Sequence, residues 1–463
     1  ILTRDGEPLA TSLFRYQVEM DYGSPGFDSL RTFREQSDSL AKLLALYFRD
    51  KSAAAYAQAM QREHARRYRV TYRKDTLVPR SEGGLARWWD RMRGEEFLTV
   101  KLYDTLRDHT PVALFPREID YTEWQTLRRY PILNWNMGMT YRLRERDERV
   151  YPQGELARRT IGQVGDKGNY GVEYVLRDVL EGRDGKARRQ RIARGFYGRV
   201  VGGDNSEPED GLDVVTTLDL EMQDVADRAL RRQLEAQNAL WGTALVMEVA
   251  TGDLLAMANL SRTKSGAYAE VKNHALSSRM EPGSTFKLAA LLALVDDAGM
   301  SLDETFDTGN GARVKVGRTT VQDSHGLPPL NLKDAVAHSS NVFFARAVYE
   351  TYKDDPERYV DYLRHLHLDR TVGLEEFGAV APIFPAPGMK IWYPDVSIVN
   401  MGYGYAIELT PLHTLTLYNA VANDGCMVAP RLVREIRRGG EVVERPERRV
   451  LVDKICSSSA LRK

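Results

Sequence analysis

The chain has 463 residues, of which 43% are apolar and 28% charged, a composition that excludes wholesale disorder and provides material for two or more domains. Lys+Arg and Asp+Glu both number 65, so nothing in the charge balance asks for nucleic acid, and the Arg-rich run at 185–200 reads as a solvated face. The two cysteines, Cys426 and Cys456, are too few for a disulfide-built scaffold and have no nearby His with which to hold a metal. One bridge between them and two separate thiols are both open at this point.

Residues 1–20 read as two short strands around the turn-rich RDGEP. A helical pattern covers about 29–66, where Leu40, Leu43, Leu44 and Tyr47 recur at three- and four-residue spacing and SAAAYAQAM adds good helix formers. Residues 67–150 alternate short apolar runs with charged turns and are expected to be mixed and largely extended. RVYPQGELARRTIG (149–162) places a turn before a short helix, and GNYGVEYVLRDVLEGRDG (168–185) gives a helical pattern closed by Gly182. GGDNSEPEDG (202–211) has Gly, Pro and acids without an apolar anchor and reads as a linker, dividing the chain into 1–205 and 206–463.

Beyond it the patterns sharpen. TTLDLEMQDVADRALRRQLEAQ (216–237) predicts a capped amphipathic helix with Met222, Val225, Ala229 and Leu230 on one side. GTALVMEV and LLAMANL, joined by ATGD, predict a hairpin with Gly252 in the permissive turn position. A long helix following that hairpin packs against a sheet, so the fold class is α/β or α+β. No apolar run reaches bilayer-spanning length; LAALLALV (288–295) is less than half of it. The chain opens without Met, and further residues are expected upstream.

The chemistry concentrates in MEPGSTFKLA (280–289). Pro282 and Gly283 make a turn, and STFKLAALLALV continues as a helix apolar on most of its circumference. Ser284 stands at its start, with Lys287 three residues on and on the same face. A serine hydroxyl becomes a nucleophile when a neighbouring base takes its proton, and a Lys desolvated in an apolar helix loses affinity for its own proton. The first helical N–H groups lie near a developing oxyanion. The plain alternative makes Ser284 an N-cap and lets Lys287 reach solvent. A second element, AVAHSSNVFF (335–344), interrupts an apolar run with Ser339, Ser340 and Asn341. Alone it is as readily a helix cap; beside Ser-x-x-Lys it matches two of the three elements of the penicillin-binding and serine β-lactamase signature.

With these motifs in order, the sequence resembles the class B penicillin-binding proteins along nearly its whole length. Within them it resembles the division-specific peptidoglycan D,D-transpeptidases of Bacteroides-like bacteria. ILTRDGEPLATS is similar to the segment following the family's membrane anchor. RVYPQGELARRTIG and GNYGVEYVLRDVLEGRDG resemble its pedestal motifs, and GLDVVTTLDLEMQ the start of its penicillin-binding domain. EPGSTFK, SSNV and MGYGYAIELTPLHTLTLYNAVANDG (401–425) resemble its catalytic landmarks.

The resemblance implies an elongated mixed pedestal at 1–205. It also implies an α/β (α+β) penicillin-binding domain of β-lactamase-like fold at 206–463, an antiparallel sheet flanked by helices. Ser284 would be the acylated nucleophile, Lys287 its general base, Ser339 and Asn341 the proton-relay and substrate-binding pair, and Gly402–Gly404 with Thr410–Pro411 the packing beneath them. No cofactor or metal is implied. The implied partners are peptidoglycan stem peptides, β-lactams, a polytopic glycosyltransferase and other division proteins; the implied place is the periplasmic side of the bacterial inner membrane, held by one N-terminal anchor. The chain contains no Lys-Thr-Gly or Lys-Ser-Gly, the family's third motif. The expectation is that the motif lies beyond DKICSSSALRK and that the domain is C-terminally incomplete. Rival readings are a hydrolase on the same Ser-Lys core, an elongation-specific transpeptidase, and a catalytically silent β-lactam-binding scaffold of the division machinery.

Overall fold

The computed structural model describes residues 1–27, 30–95, 97–135, 140–166, 168–183, 189–193, 196–199, 206 and 209–463. Backbone contacts divide the chain into two compact units, Ser12–Val150 and a second made of Ile1–Thr11 with Tyr151–Lys463. This partition differs from a division near 205, and most of the 202–211 linker lies outside the described residues. The reason is apolar packing: Ile1, Leu9, Ala157, Ile161 and Val172 share one buried cluster with Val214, Leu254, Leu276 and Leu412. The first residues are also laced in by backbone, Leu2 N–H donating to Val214 O at 2.8 Å and Thr216 N–H to Leu2 O at 2.8 Å. They form bridges, not the first of the two expected strands.

In the unit Ser12–Val150, β1 (Thr11–Met20) is the centre of a three-stranded sheet. The expected helix over 29–66 is two helices, α1 (Leu30–Phe48) and α2 (Ala53–Arg67). The chain turns at Arg49, which has φ +54°, and restarts at the N-cap Ser52, whose Oγ accepts from Ala55 N–H at 3.2 Å. Leu40 and Leu44 on α1 and Tyr56 and Met60 on α2 meet Phe27, Phe33 and Phe115 in the core of this unit. A long hairpin leaves α2: β2 (Tyr68–Pro79) and β3 (Phe97–Arg107) pair from Tyr68↔Arg107 to Pro79↔Phe97, with α3 (Gly84–Met92) between them. β4 (Val112–Ala113) and β5 (Tyr141–Val150) flank β1, and α4 (Tyr121–Leu127) opens on a capping box, Asp120 and Glu123 each accepting the other's backbone N–H. The largely extended stretch therefore also holds two helices.

The second unit continues with the short helices α5 (Arg158–Ile161), α6 (Gly171–Val175) and α7 (Arg177–Leu180) and the hairpin β6 (Arg189–Ala193) and β7 (Phe196–Arg199). β8 (Asp213–Thr216) leads into α8 (Leu220–Ala236), whose N-cap Asp219 accepts from Met222 N–H at 3.0 Å. The buried face of α8 is not the expected one: Met222, Val225 and Ala229 are exposed, while Gln223, Ala226 and Leu234 are buried. Gln223 replaces an apolar residue because its amide closes a pair with Met257 in the sheet, accepting from Met257 N–H at 2.7 Å and donating to Met257 O at 3.2 Å. The predicted hairpin is β9 (Trp241–Met247) and β10 (Leu254–Arg262), turning at Gly252 with φ +80°. β10 also pairs with β11 (Tyr268–Ala269), and every side chain from Leu254 to Leu260 on it is buried, since helices cover both faces.

After α9 (His274–Ser277) comes one helical run in three pitches: a 3-10 turn at Gly283–Phe286, α10 (Lys287–Leu292) and a π turn at Ala293–Asp297. Two small ladders follow, β12 (Thr305–Phe306) with β15 (Leu330–Asn331) and β13 (Val314–Val316) with β14 (Thr319–Val321). Then come α11 (Leu332–His338), α12 (Asn341–Tyr352), α13 (Pro356–His365), α14 (Ser397–Met401) and α15 (Pro411–Ala422). β16 (Met427–Val428) pairs with β19 (Val450–Val452), β17 (Val433–Arg438) lies between β8 and β18 (Glu441–Glu444), and α16 (Ser458–Arg462) follows. The main core joins α10 and its π turn to α12 through Ala289, Ala290, Ala293 and Leu294 against Val342, Phe343, Phe344, Ala347 and Val348. Both cysteines are free thiols.

The π turn leaves backbone groups to be met by side chains. Tyr352 Oη–H is shared between Ala293 O and Asp297 Oδ2, both at 2.9 Å, with its ring fully buried. Tyr352→Phe should cost about 1–2 kcal/mol for the lost bonds. In thermal unfolding this should read as a midpoint lower by about 2–4 °C; an unchanged midpoint would remove the hydroxyl from the account of this turn.

Candidate active site

Four sequence-predicted residues from three helical elements meet at one amine. Ser284 is exposed in the 3-10 turn, Lys287 is the buried first residue of α10, Ser339 caps α11 and Asn341 begins α12. Lys287 Nζ lies 3.1 Å from Ser284 Oγ, 3.0 Å from Ser339 Oγ, 2.6 Å from Ser339 O and 2.7 Å from Asn341 Oδ1. It also stands 5.8 Å over the Phe344 ring. Lys287 therefore does not reach out to solvent, and the plain reading of the motif fails on geometry.

Burial pulls the Lys287 amine down to about 8, against the opposing charge of Asp323. Two of its four neighbours, Ser339 O and Asn341 Oδ1, only accept hydrogen bonds. A neutral amine has two N–H bonds and one lone pair, so satisfying those two acceptors leaves the lone pair for a hydroxyl proton. The arrangement can thus take the proton of Ser284 as its oxygen attacks, or exchange one with Ser339.

Local backbone sets these positions. Ser339 adopts φ +52° and ψ +44°, a left-handed conformation costing about 1–2 kcal/mol in a residue with a Cβ. That turn aims both its carbonyl and its hydroxyl at Lys287. Ser340, given no role by the motif, is the fully buried N-cap of α12 and accepts from Phe343 N–H at 3.0 Å.

Asp323 was invisible to the sequence reading because it lies in a polar loop far from either motif. Its carboxylate accepts from Ser340 Oγ–H at 2.8 Å, Asn341 N–H at 2.5 Å and Val342 N–H at 3.2 Å. It therefore anchors the α12 N-terminus where the helix dipole favours an anion.

Under Ser284 the glycine-rich segment is in direct contact. Gly283 N–H donates to Gly404 O at 2.9 Å, and Met280 and Leu409 exchange backbone bonds of 2.9 Å each. Gly404 has φ +90°, and a Cβ there would stand 1.9 Å from Gly283 O, so only glycine fits. The Glu281 carboxylate accepts from Ala406 N–H at 2.9 Å, and Tyr418 Oη–H donates to Thr285 O at 3.0 Å. At Thr410–Pro411, His413 accepts from the Thr410 hydroxyl at 2.7 Å and donates to Arg370 O at 3.0 Å. Burial holds that imidazole down at about 4, which fits its neutral structural role. Among the described residues no group of three or more His, Cys, Asp or Glu is arranged to hold a metal ion.

Residues 242–463 match the family model described as the penicillin binding protein transpeptidase domain. This part of the chain is a penicillin-binding protein transpeptidase domain. A curated relative, the probable peptidoglycan D,D-transpeptidase PenA of Neisseria meningitidis, is 27% identical over 292 residues, covering 61% of this chain and 48% of the relative. The structure of penicillin-binding protein 3 from Mycobacterium tuberculosis, complexed with aztreonam, is similar with TM-score 0.57 and 26% identity over 69% of this chain and 67% of that one. Penicillin-binding protein 2X of Streptococcus thermophilus has TM-score 0.69 over 99% of this chain and 63% of that one; at 18% identity this shows a shared fold. The chain spans about half the length of the curated relatives it matches. The fold is the expected α+β one, a transpeptidase domain preceded by an additional N-terminal domain.

Gly404→Ala should displace Gly283 and with it the Ser284 turn. We expect a loss of about tenfold or more in the rate at which a β-lactam labels the chain, with Lys287 still buried. A variant labelled at the parental rate would show that this approach does not position the serine.

Proposed function

We propose that the transpeptidase domain is a serine D,D-transpeptidase acting on peptidoglycan stem peptides and covalently inhibited by β-lactams. The observation that carries this reading is the buried Lys287 amine held between Ser284, Ser339 and Asn341. The family match and a D,D-transpeptidase relative support it, as does a similar structure complexed with aztreonam.

In this reading Ser284 Oγ attacks the carbonyl of the penultimate D-Ala while Lys287 takes its proton. The peptide C–N bond then breaks, the departing D-Ala amine receives a proton through Lys287 and Ser339, and an ester to Ser284 remains. The amine of a second stem peptide attacks that ester, loses a proton to the same base, forms the cross-link and frees Ser284. The Asn341 amide, fixed by Asp323, would hold the donor peptide. A β-lactam follows the first step, but its leaving nitrogen stays tethered, leaving a long-lived ester. No cofactor enters these steps.

The finer assignment is septal wall synthesis, with 206–463 as the catalytic domain and 1–205 as the pedestal. It places the protein on the periplasmic face of the inner membrane through an N-terminal anchor, beside a polytopic glycosyltransferase and other division proteins. These assignments rest on the resemblance of the motifs at 149–185 and 401–425.

Incubation with benzylpenicillin and intact-mass spectrometry should add one penicillin to the parent chain and none to Ser284→Ala. No adduct on the folded parent, or on a form extended through a Lys-Thr-Gly element, would sink the enzymatic reading in favour of a silent scaffold. Because the neutral amine is the active form and its pKa is about 8, the acylation rate should rise with pH and level off above that value. Asp323 raises the Lys287 pKa, so Asp323→Asn should move the midpoint to lower pH; a shift upward would contradict the assignment of Lys287 as base.

A further inference from the structure

The unit Ser12–Val150 carries a feature that acyl transfer does not use. β2 and β3 form a two-stranded arm about 35 Å long, and α3 closes its far end. On α3 the large apolar residues are Leu85, Trp88, Trp89 and Met92, spaced i, i+3, i+4 and i+7, an arc of about 100°. Such a stripe ordinarily faces a core. Here the four are 80%, 52%, 54% and 67% exposed, and no residue of α3 is buried. The two indoles stand edge to face at 5.2 Å. The strand ends beside the helix add exposed Leu77, Val78, Phe97 and Leu98.

The charges are distributed unevenly. Gly84–Arg93 holds Arg87, Arg91 and Arg93 against a single acid, Asp90. Glu82 and Glu95 fall behind the helix at the neck of the arm, where Glu95 pairs with Arg80. Arg87 also ties the helix to the neck, donating to Ser81 O at 3.0 Å and Glu82 O at 3.2 Å.

We propose that the tip of this arm docks on an anionic lipid surface, with α3 lying in the plane of the interface. Leu85 and Met92 would enter the acyl boundary, the Trp88 and Trp89 rings would sit at headgroup depth, and Arg91 and Arg93 would meet lipid phosphates. Nine residues cannot span a bilayer, and among the described residues no helix is long and apolar enough to do so. Adjacent indoles with an apolar stripe and a basic polar side are the composition of an interfacial helix. A second copy of this chain is disfavoured as occupant, because a twofold contact across so short a helix would bring the two sets of arginines together.

The test is co-sedimentation of the 463-residue chain with vesicles of phosphatidylethanolamine and phosphatidylglycerol, against phosphatidylcholine alone, with tryptophan quenching by brominated lipid. The parent should sediment with the anionic vesicles and be quenched. Leu85→Glu/Met92→Glu should lower the partition about tenfold or more, with unchanged circular dichroism and unchanged penicillin labelling. Trp88→Phe/Trp89→Phe should still sediment but lose most of the quenching, placing those indoles in the interface. Three results would overturn the proposal: no sedimentation of the parent, equal sedimentation of the glutamate variant, or a concentration-dependent dimer or protein complex abolished by that variant without vesicle binding. Penicillin labelling is read separately, so failure here leaves the transpeptidase reading where it stood.

Discussion

An amine buried under two exposed hydroxyls is the constraint around which the transpeptidase domain is arranged. In water the Lys287 ammonium would hold its proton at any physiological pH. With the side chain in the wall between α10 and α12, burial lowers that affinity to about 8, so desolvation brings the neutral, proton-accepting form of the amine within reach of neutral pH. A buried amine must still be hydrogen-bonded. Ser339 O and Asn341 Oδ1 meet that need, which is why Ser339 adopts a left-handed backbone and why the first residue of α12 is Asn. Remove either acceptor and the amine loses both its place and its direction.

Those acceptors are themselves held. The Asp323 carboxylate fastens three groups at the start of α12, so Asn341 is positioned by a charged anchor as well as by its own helix. On the opposite side, backbone bonds between 280–283 and 404–409 brace the turn that presents Ser284. The helices between are packed through Ala289, Ala290 and Ala293 against Phe343 and Phe344. Small side chains on one helix let large ones on the other approach closely, which keeps the Ser284–Lys287 and Ser339–Asn341 pairs at hydrogen-bond distance. Rigidity is the useful property: an amine displaced by an ångström no longer shares a hydrogen bond with the Ser284 hydroxyl.

The unit Ser12–Val150 is built differently. Its core of Phe27, Phe33, Leu44, Tyr56 and Phe115 is compact, yet the β2–β3 arm exposes both faces and ends in an unburied apolar helix. Two strands alone cannot bury what they carry. One unit spends its apolar residues on fixing a few atoms, and the other presents some of its own outward.

Much of this was legible in the sequence. Period and punctuation located α8 from its Asp219 cap, the β9–β10 hairpin from Gly252, and the helix that carries Ser284 and Lys287 on one face, because each depends on residues within a turn or two of one another. The approach of Lys287 to Ser284 was legible for the same reason. What local pattern could not give were the contacts between distant segments. Asp323, two residues past β14, reaches the start of α12, Gly404 lies against Gly283 from more than a hundred residues away, and Gln223 is buried because its amide closes a pair with Met257 of β10. The same limit hides from local pattern that Ala157 and Val172 share a buried cluster with Val214, Leu254 and Leu412. Spacing along a helix fixes which side chains share a face; which acceptors surround a buried amine is decided only when the chain has folded back on itself, because desolvation and hydrogen-bond satisfaction depend on all the neighbours at once.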